Sequence, residues 1–428
     1  MDPPVRKLAA VKRSSHSTAI GPEDGEILEA IEAESVWMEE LLVRLIEAPT
    51  TLGDEEPGQA IMDEAFRELA LKPRDIAMDG EILTTHPLAS PFSWDVSGKR
   101  NVVATWPRGS AGGGRSLVLN GHIDVVSPEP AALWSSSPFR PRRDGDWLYG
   151  RGAGDMKAGL AAMLGTVRGL QQLGVRPRAP VELQSVVEEE CTGNGALATA
   201  LASPVPDAAV VTEPFGNGVT VAQVGVLWFH VRALGTPAHV GDAPEGVNAI
   251  EKVLSAVPAL KALEAKLNEA PPPPFDTIEH PINLNLGVIR GGDWPSTVAG
   301  ECLLSCRIAV YPGEAPDQLL EEIRNAVGDS AAVETDGFAC EGYAVPSDDE
   351  LVAALVWAHE RRAGAPPELI ASTATTDARI YRFLGVPAAC LGPYAERLHA
   401  ADERVWLPSV TRAAQTLGLF LRDWCGLS

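Results

Sequence analysis

Seven acidic and histidine side chains in this sequence have the types and positions that hydrolytic chemistry requires. They lie in the segments LNGHIDVV, YGRGAGDMKAG, SVVEEECTGNG, VVTEP and RLHAADERV, and they are His122, Asp124, Asp155, Glu189, Glu190, Glu213 and His399. Two imidazoles and several carboxylates are enough to hold two divalent metal ions of borderline hardness. One further carboxylate would remain to move protons, so the set is typical of a zinc-type hydrolytic centre.

The first histidine has an acidic neighbour that changes its interpretation. A lone histidine at the end of a strand is usually structural, but Asp124 follows His122 by two residues. A carboxylate beside a metal-binding imidazole commonly fixes its tautomer and raises its basicity. We therefore interpret His122 as a candidate ligand and Asp124 as the acid that supports it.

The aspartate of the glycine-rich segment has two interpretations. Asp155 lies between Gly154 and Met156, just before a predicted helix, and aspartate is a favoured residue at the start of a helix. A flexible loop could also place this carboxylate between two metal ions. The spacing alone slightly favours the helix cap, so both interpretations stay open at this point.

Three consecutive glutamates, Glu188, Glu189 and Glu190, follow an apolar strand and precede the turn CTGNG. They could form a solvated acidic turn. However, like charges at one strand end repel each other, and a bound cation would relieve that repulsion. Neighbouring residues that leave a strand point in different directions. Glu190 could therefore bind a metal while Glu189 acts as the general base.

The last two candidates carry little information alone. Glu213 precedes Pro214 and could simply be a charge that ends a strand, and His399 lies in a polar loop where a surface histidine is common. Their value depends on whether the fold brings them to the other candidates.

The elements that must position these side chains are strands of an α/β fold, since helical and strand patterns alternate along most of the chain. Three predicted strands end just before a candidate: residues 116–120 before His122, residues 181–187 before the glutamates, and residues 208–212 before Glu213. Sites in open α/β sheets form outside the carboxyl ends of strands. Three such ends therefore indicate one shared site.

A smaller unit interrupts this pattern. Residues 224–334 follow the order β-α-β-β-α-β, which is typical of a ferredoxin-like α+β unit. We therefore predict a mobile N-terminal tail over 1–25, a catalytic metal-binding domain over 26–222 and 338–428, and an inserted domain over 223–337. The catalytic domain should have a mixed sheet with helices on both faces. Residues 79–99, beside the first strand, either shape the pocket or form a plain surface loop.

Composition excludes several classes of partner. The 428 residues are 45% hydrophobic and carry a net charge of −23, which argues against binding to nucleic acid or anionic lipid. No apolar run is long enough to span a membrane, and the N-terminus lacks an apolar signal core. The six cysteines show no metal or disulfide spacing and are expected to be reduced core thiols. We expect a cytoplasmic protein.

From residue 26 to the C-terminus, these motifs resemble those of a known family. GHIDVV, GRGAGDMKAG, EEECTGNG, TEP and HAADERV are similar to the ligand motifs of the dinuclear-zinc aminoacylase, carboxypeptidase G, acetylornithine deacetylase and succinyl-diaminopimelate desuccinylase metallohydrolases. The resemblance implies a phosphorylase/hydrolase-like catalytic domain. It also implies that the inserted unit serves as a lid and dimerisation domain, so a homodimer is expected.

The resemblance also assigns roles. It implies one metal held by His122, Asp155 and Glu213 and a second held by Asp155, Glu190 and His399, with zinc, cobalt or manganese as the ion. Three further roles are implied, and they belong to Glu189 as general base, Asp124 as partner of His122, and His239 as a lid histidine that steadies the oxyanion in the partner subunit. Two lid residues are expected to bind the substrate carboxylate, namely Arg307 and Asn285.

The expected activity is hydrolysis of a C–N bond in a small substrate. Deacylation of an N-acyl amino acid is favoured. The alternatives are a dipeptidase or carboxypeptidase, a hydrolase that deaminates a small amine (aromatic amines included), and a non-catalytic binding protein. The sequence departs from many relatives at Ser305, which stands where they have aspartate, and at Ala299, which stands where they often have proline. These departures concern substrate recognition and leave the metal motifs intact.

Overall fold

The structure, a computed structural model, describes residues 23–110, 112–346 and 348–428. The predicted N-terminal tail therefore lies mostly outside the described residues. The helices are α1 Asp24–Glu32, α2 Ser35–Glu47, α3 Glu56–Glu68, α4 Gly80–Thr85, α5 Ala158–Gln172, α6 Asn194–Ala202, α7 Ala249–Leu267, α8 Pro316–Val327, α9 Glu350–Ala363, α10 Ala378–Phe383 and α11 Leu407–Cys425.

The strands, in chain order, are β1 Arg74–Ala77, β2 Arg100–Trp106, β3 Leu117–His122, β4 Arg142–Asp144, β5 Trp147–Tyr149, β6 Val181–Val186, β7 Ala209–Val211, β8 Val219–Gln223, β9 Gly225–Leu234, β10 Asn285–Gly291, β11 Glu301–Val310, β12 Ala332–Glu334, β13 Ala339–Cys340, β14 Tyr343–Ala344, β15 Leu369–Ser372, β16 Ala388–Cys390, β17 Ala395–Glu396 and β18 Arg404–Trp406.

The main sheet has six strands in the order β1-β2-β6-β3-β7-β16. The first two pairs, β1–β2 and β2–β6, are antiparallel, whereas β6, β3, β7 and β16 run parallel. The carboxyl ends of these parallel strands therefore meet at one edge of the sheet. The mixed α/β fold that the alternating pattern predicts is confirmed.

Apolar side chains cover both faces of this sheet. Along β3, Leu117 and Leu119 belong to the core that α1, α2, α5 and α11 complete, whereas Val118 belongs to a second core with Ala209 and Val211 of β7. Successive residues of a strand point to opposite faces, so each face has its own buried layer. Strands buried on both faces read as continuous apolar runs, as these do in the sequence.

A second, antiparallel sheet lies in the inserted segment. Its order is β10-β11-β9-β12, and β13 also pairs with β9. The helices α7 and α8 complete a separate apolar core on this sheet. The element order β9-α7-β10-β11-α8-β12 is the β-α-β-β-α-β order expected from the sequence. Its role as a lid and dimerisation domain stays a prediction.

The observed boundaries differ from the predicted ones at two places that matter. The apolar spacing predicts one helix over residues 26–48, but α1 and α2 are separate and break at Ala33 and Glu34. The pattern could not reveal this break, because buried residues recur at helical spacing on both sides of it. In addition, β3 continues through His122, which pairs with Val186. His122 is thus the last residue of the strand and not the residue beyond it.

No helix among the described residues is long and apolar enough to cross a membrane. All six cysteines are buried and none of them forms a disulfide.

Candidate metal centre

The carboxyl edge of the main sheet brings the first group of candidates together. His122 ends β3, and its Nε2 atom lies 3.2 Å from Asp155 Oδ1 and 3.6 Å from Glu213 Oε1. Ligand atoms bound at about 2.0–2.1 Å to one tetrahedral zinc ion lie roughly 3.3 Å apart. These two distances from His122 are therefore those expected between ligands of one such ion.

The second group meets at the other oxygen of the same aspartate. His399 Nε2 lies 3.3 Å from Asp155 Oδ2 and 3.1 Å from Glu190 Oε2. Asp155 thus presents one carboxylate oxygen to each imidazole, which is the arrangement that a bridging ligand needs. Two groups have all their ligand atoms within 4.8 Å of one another, namely His122, Asp155 and Glu190, and His122, Glu189 and Glu213. Neither group coincides with a predicted ligand set.

The charges of this cluster fit cations. Burial raises the pKa of Glu189 and the pKa of Glu213 well above their usual values, because the ionised carboxylates lose their hydration. Repulsion from neighbouring carboxylates raises both pKa values further. Glu190 Oε1 is buried and has no hydrogen-bond partner among the described residues. Divalent ions would relieve both costs. His399 is half exposed, with 52% of its side-chain surface accessible, so the cluster opens to solvent on that side.

Asp124 supports the cluster differently from the expectation. The Nδ1 atom of His122 lies 2.9 Å from the backbone oxygen of Asp124 and 3.6 Å from its carboxylate. The carboxylate instead accepts hydrogen bonds from the backbone N–H groups of Glu189, at 3.3 Å, and Glu190, at 3.0 Å. A carbonyl oxygen at Nδ1 leaves Nε2 free to bind a metal. The Asp124 side chain therefore braces the glutamate turn.

The three consecutive glutamates have different environments. Glu188 is fully buried, and its Oε1 atom accepts hydrogen bonds from Lys99 Nζ and Trp94 Nε1, each at 2.8 Å. Glu189 and Glu190 face the cluster. Lys99 and Trp94 belong to the segment over 79–99, whose function the sequence left open. This segment is therefore not a plain surface loop, because two of its side chains bind the buried carboxylate of Glu188.

Asp155 does not cap a helix. The helix α5 begins at Ala158, three residues later, and no side chain caps its first turn. The loop around Asp155 is held by Glu403, a fully buried residue that the sequence analysis missed. Glu403 Oε1 accepts hydrogen bonds from the N–H groups of Gly154, at 2.9 Å, and Asp155, at 3.0 Å.

The other oxygen of Glu403 completes this hold on the loop. It accepts hydrogen bonds from Gly152 N, at 3.0 Å, and from Arg151 Nη1, at 2.6 Å. Glu403 thus fixes the backbone that carries Asp155. The sequence indicated Glu403 only by its position in the HAADERV segment. Its role could not be predicted, because the residues that it binds lie about 250 residues earlier in the chain.

Asp377 is a second residue that the sequence analysis missed. It is 1% exposed, and neither carboxylate oxygen has a hydrogen-bond partner among the described residues. Burial raises its pKa to about 7, although His122 and Arg379 oppose this shift. The polar run STATTDAR ahead of α10 was the only signal in the sequence.

The predicted lid residues lie in different places. Arg307 is partly buried, and its Nη2 atom donates a hydrogen bond to Thr373 O at 3.2 Å, four residues before Asp377. Asn285 is exposed and pairs with Arg307 in the β10–β11 ladder. His239 is exposed, and its Nδ1 atom accepts a hydrogen bond from Gly241 N. Among the described residues, no hydrogen bond or ion pair joins His239 to the cluster within one chain.

A family model described as peptidase family M20/M25/M40 matches residues 118–423. The chain belongs to this family. The resemblance inferred from the sequence motifs is thereby confirmed. The protein is a metal-dependent hydrolase that acts on C–N bonds, as predicted. Which side chains hold the metal stays a prediction.

Two of the similar proteins are named as a deformylase and a deacetylase. The chain is 27% identical, over 369 residues, to N-formyl-4-amino-5-aminomethyl-2-methylpyrimidine deformylase of Halalkalibacterium halodurans, with 78% of this chain and 85% of the relative covered. It is 27% identical, over 337 residues, to acetylornithine deacetylase of Photorhabdus laumondii, with 77% and 84% covered.

Solved structures share the fold at low sequence identity. The dipeptidase Dug1p of Saccharomyces cerevisiae superposes with a TM-score of 0.77 at 12% identity, covering 94% of this chain and 98% of that one. Human carnosine dipeptidase 1 superposes with a TM-score of 0.73 at 14% identity, covering 94% and 99%.

Proposed function

We propose that this enzyme removes the acyl group from a small N-acyl amino acid. The observation that carries the proposal is the position of Asp155 between two imidazoles, with Glu189 beside them. The relatives named for deformylase and deacetylase activity support acyl removal over other C–N chemistry.

The cluster would hold two divalent ions, with zinc first and cobalt or manganese as alternatives. His122, Asp155 and Glu213 form one predicted ligand set, and Asp155, Glu190 and His399 form the other. Such ions would lower the pKa of a water molecule and polarise the carbonyl oxygen of the substrate.

Glu189 is the proposed general base. It is 6% exposed, and its Oε2 atom lies 3.8 Å from His122 Nε2, so it faces the same space as the predicted ligands. It would accept the proton of the attacking water and then deliver it to the departing amine. The raised pKa of Glu189 suits a group that must hold a proton between these two steps.

Substrate recognition is proposed for the inserted unit. Arg307 would bind the carboxylate of the amino acid, with Asn285 beside it in the ladder. His239 would stabilise the oxyanion of a partner subunit, which agrees with its exposure in the single chain. The edge strand β10 is exposed along its whole length and includes Leu286, Val288 and Ile289. Such an edge pairs readily with another chain, which supports a homodimer.

The six buried cysteines without a disulfide support a reducing compartment, and we propose the cytoplasm.

Amine release from a panel of substrates tests the proposal. The panel contains N-acetyl, N-succinyl and N-formyl amino acids, dipeptides and aromatic amides. Chelator-treated protein is compared with protein reloaded with zinc, manganese or cobalt. Metal-restored turnover on an N-acyl amino acid is the expected result. Turnover on dipeptides or aromatic amides alone would replace this substrate class by one of the alternatives.

A further inference from the structure

A cavity of about 470 Å³ lies outside the metal cluster, and none of the predicted ligands lines it. Its wall combines aromatic and basic side chains with one amide, and they are Trp147, Asn217, His359, Arg362, Tyr394, Trp406 and Arg412. The cavity thus has two arginines in its wall although the net charge of the chain is −23.

One arginine of the cavity is oriented by neutral groups. Arg362 donates hydrogen bonds through Nε to Thr416 Oγ1, at 2.8 Å, and through Nη2 to His359 Nε2, at 2.9 Å. The other ring nitrogen of His359 lies 3.1 Å from the backbone oxygen of Ala365 and donates to it, so Nε2 carries the lone pair. The guanidinium is thus held in place by neutral groups that do not neutralise its positive charge.

A second arginine, Arg412, adds its positive charge to that of Arg362 in the wall of the cavity. Arg412 lies over the Trp406 ring, at 4.5 Å from its centroid. Neither Arg362 nor Arg412 has a carboxylate within 4.0 Å among the described residues. By contrast, the nearby Arg404 forms an ion pair with Glu396 at 2.5 Å. The positive charge available to a ligand therefore belongs to Arg362 and Arg412.

The rest of the lining points to the body of the ligand. The rings of Trp147 and Tyr394 are 6.0 Å apart and inclined at 57°, and Trp406 lies on the same wall. Aromatic walls of this kind suit a flat ring. The Oδ1 atom of Asn217 is buried and has no donor among the described residues, and Asn217 is only 8% exposed. It would accept a hydrogen bond from a hydroxyl or N–H group of the ligand.

We propose that this cavity is a binding site for a small aromatic acid, whose acid group pairs with Arg362 and Arg412 and whose ring lies among Trp147, Tyr394 and Trp406. Arginine is the residue best suited to bind a planar acid group by paired hydrogen bonds. The site is separate from the hydrolytic centre and does not depend on the function proposed for it.

Calorimetric titration of the full-length, zinc-loaded protein with 4-hydroxybenzoate tests the site. 4-Hydroxybenzyl alcohol, which has the same ring and hydroxyl but no acid, is the matched ligand control. The acid is expected to bind at least about tenfold more tightly than the alcohol, the factor that one charge-assisted hydrogen bond supplies. Absence of saturable binding by the acid, or equal affinity for the two ligands, would overturn the proposal.

Three variants locate the binding. Arg412→Met alters an exposed side chain and should weaken binding of the acid at least about tenfold, and Arg362→Met should do the same. Asp155→Ala disrupts the metal centre and should leave the affinity within about twofold of wild type. If the acid binds normally to Arg412→Met but is lost in Asp155→Ala, it binds at the metal centre, and the proposed site is wrong.

Discussion

Two regions on either side of the glutamate turn both contain buried carboxylates, but they differ in whether a basic side chain is paired with them. In the metal cluster, Glu189 and Glu213 share one buried space with no lysine or arginine in ion-pair contact among the described residues. Behind the turn, Glu188 and Glu55 share one buried lysine, Lys99, whose Nζ atom lies 2.8 Å from each. The chain thus supplies a cation of its own to one set of carboxylates and none to the other set, where we propose that metal ions bind.

The comparison teaches how to separate structural from functional charge. Burial alone would lower the pKa of Lys99, but Glu188 and Glu55 raise this pKa above its usual value. Lys99 is therefore a charged partner of both carboxylates. Burial raises the pKa of Glu189, which marks a group that is costly to ionise without a partner. Two neighbouring residues of one turn, Glu188 and Glu189, therefore have different electrostatic environments.

The sharpest test of the comparison removes the proposed base. Glu189→Gln should lower kcat by about 10³-fold, because the variant cannot accept a proton, while its metal content stays near that of wild type. Asp155→Ala should lose both metal and turnover. Metal content is measured by elemental analysis and kcat by amine release. Near-wild-type turnover in Glu189→Gln would remove Glu189 from the role of base.

The paired region should respond through stability and not through chemistry. Lys99→Met leaves two buried carboxylates without their cation, so the free energy of unfolding should fall by about 3–5 kcal/mol. The exposed pair Arg44–Glu64 provides the control, and Arg44→Met should change it by at most about 1 kcal/mol. Denaturant unfolding measures both variants. An equal loss in the two would contradict the distinction between buried and exposed pairs.

Glu403 combines the two situations, because it is paired with Arg151 and also holds the backbone N–H of Asp155, the proposed bridging ligand. Glu403→Gln exchanges an accepting oxygen for an NH₂ group and should weaken metal affinity by about 10–100-fold. Competition with a metal-sensitive dye measures this affinity. Asp349→Asn, which weakens the partly buried pair with Arg382, is the control and should leave the metal affinity unchanged. A parallel loss in both variants would mean that the effect is general destabilisation.

The smallest expected effect concerns pH. Burial raises the pKa of Asp377 from 3.8 to about 7, so its folded-state pKa exceeds its unfolded value. Its contribution to stability is complete below the unfolded value and is lost as pH rises through about 7. From about pH 5 to about pH 8, metal-free wild type should lose about 2 kcal/mol relative to Asp377→Asn. Unfolding curves at the two pH values give this difference, and a difference independent of pH would contradict it.

Much of the fold could be predicted from local patterns. The main parallel strands were identified as continuous apolar runs, and the inserted β-α-β-β-α-β order was identified from its alternating helical and strand patterns. The pairs β14–β8 and β17–β18 were missed, because β14 and β17 have only two residues each, too few to show an apolar run or an alternation. The break between α1 and α2 was missed because the buried spacing continues across it.

The sequence by itself determined which side chains lie at the ends of strands, since the order of residues along a strand is a local property. It also left Asp155 with two possible roles, and only the tertiary structure decided against the helix cap. The partners of the buried charges were likewise decided by tertiary contacts. Lys99 meets Glu188 across 89 residues and Asp155 meets Glu403 across 248. Burial and pairing of a charge depend on which distant segments pack together, and no local spacing records that.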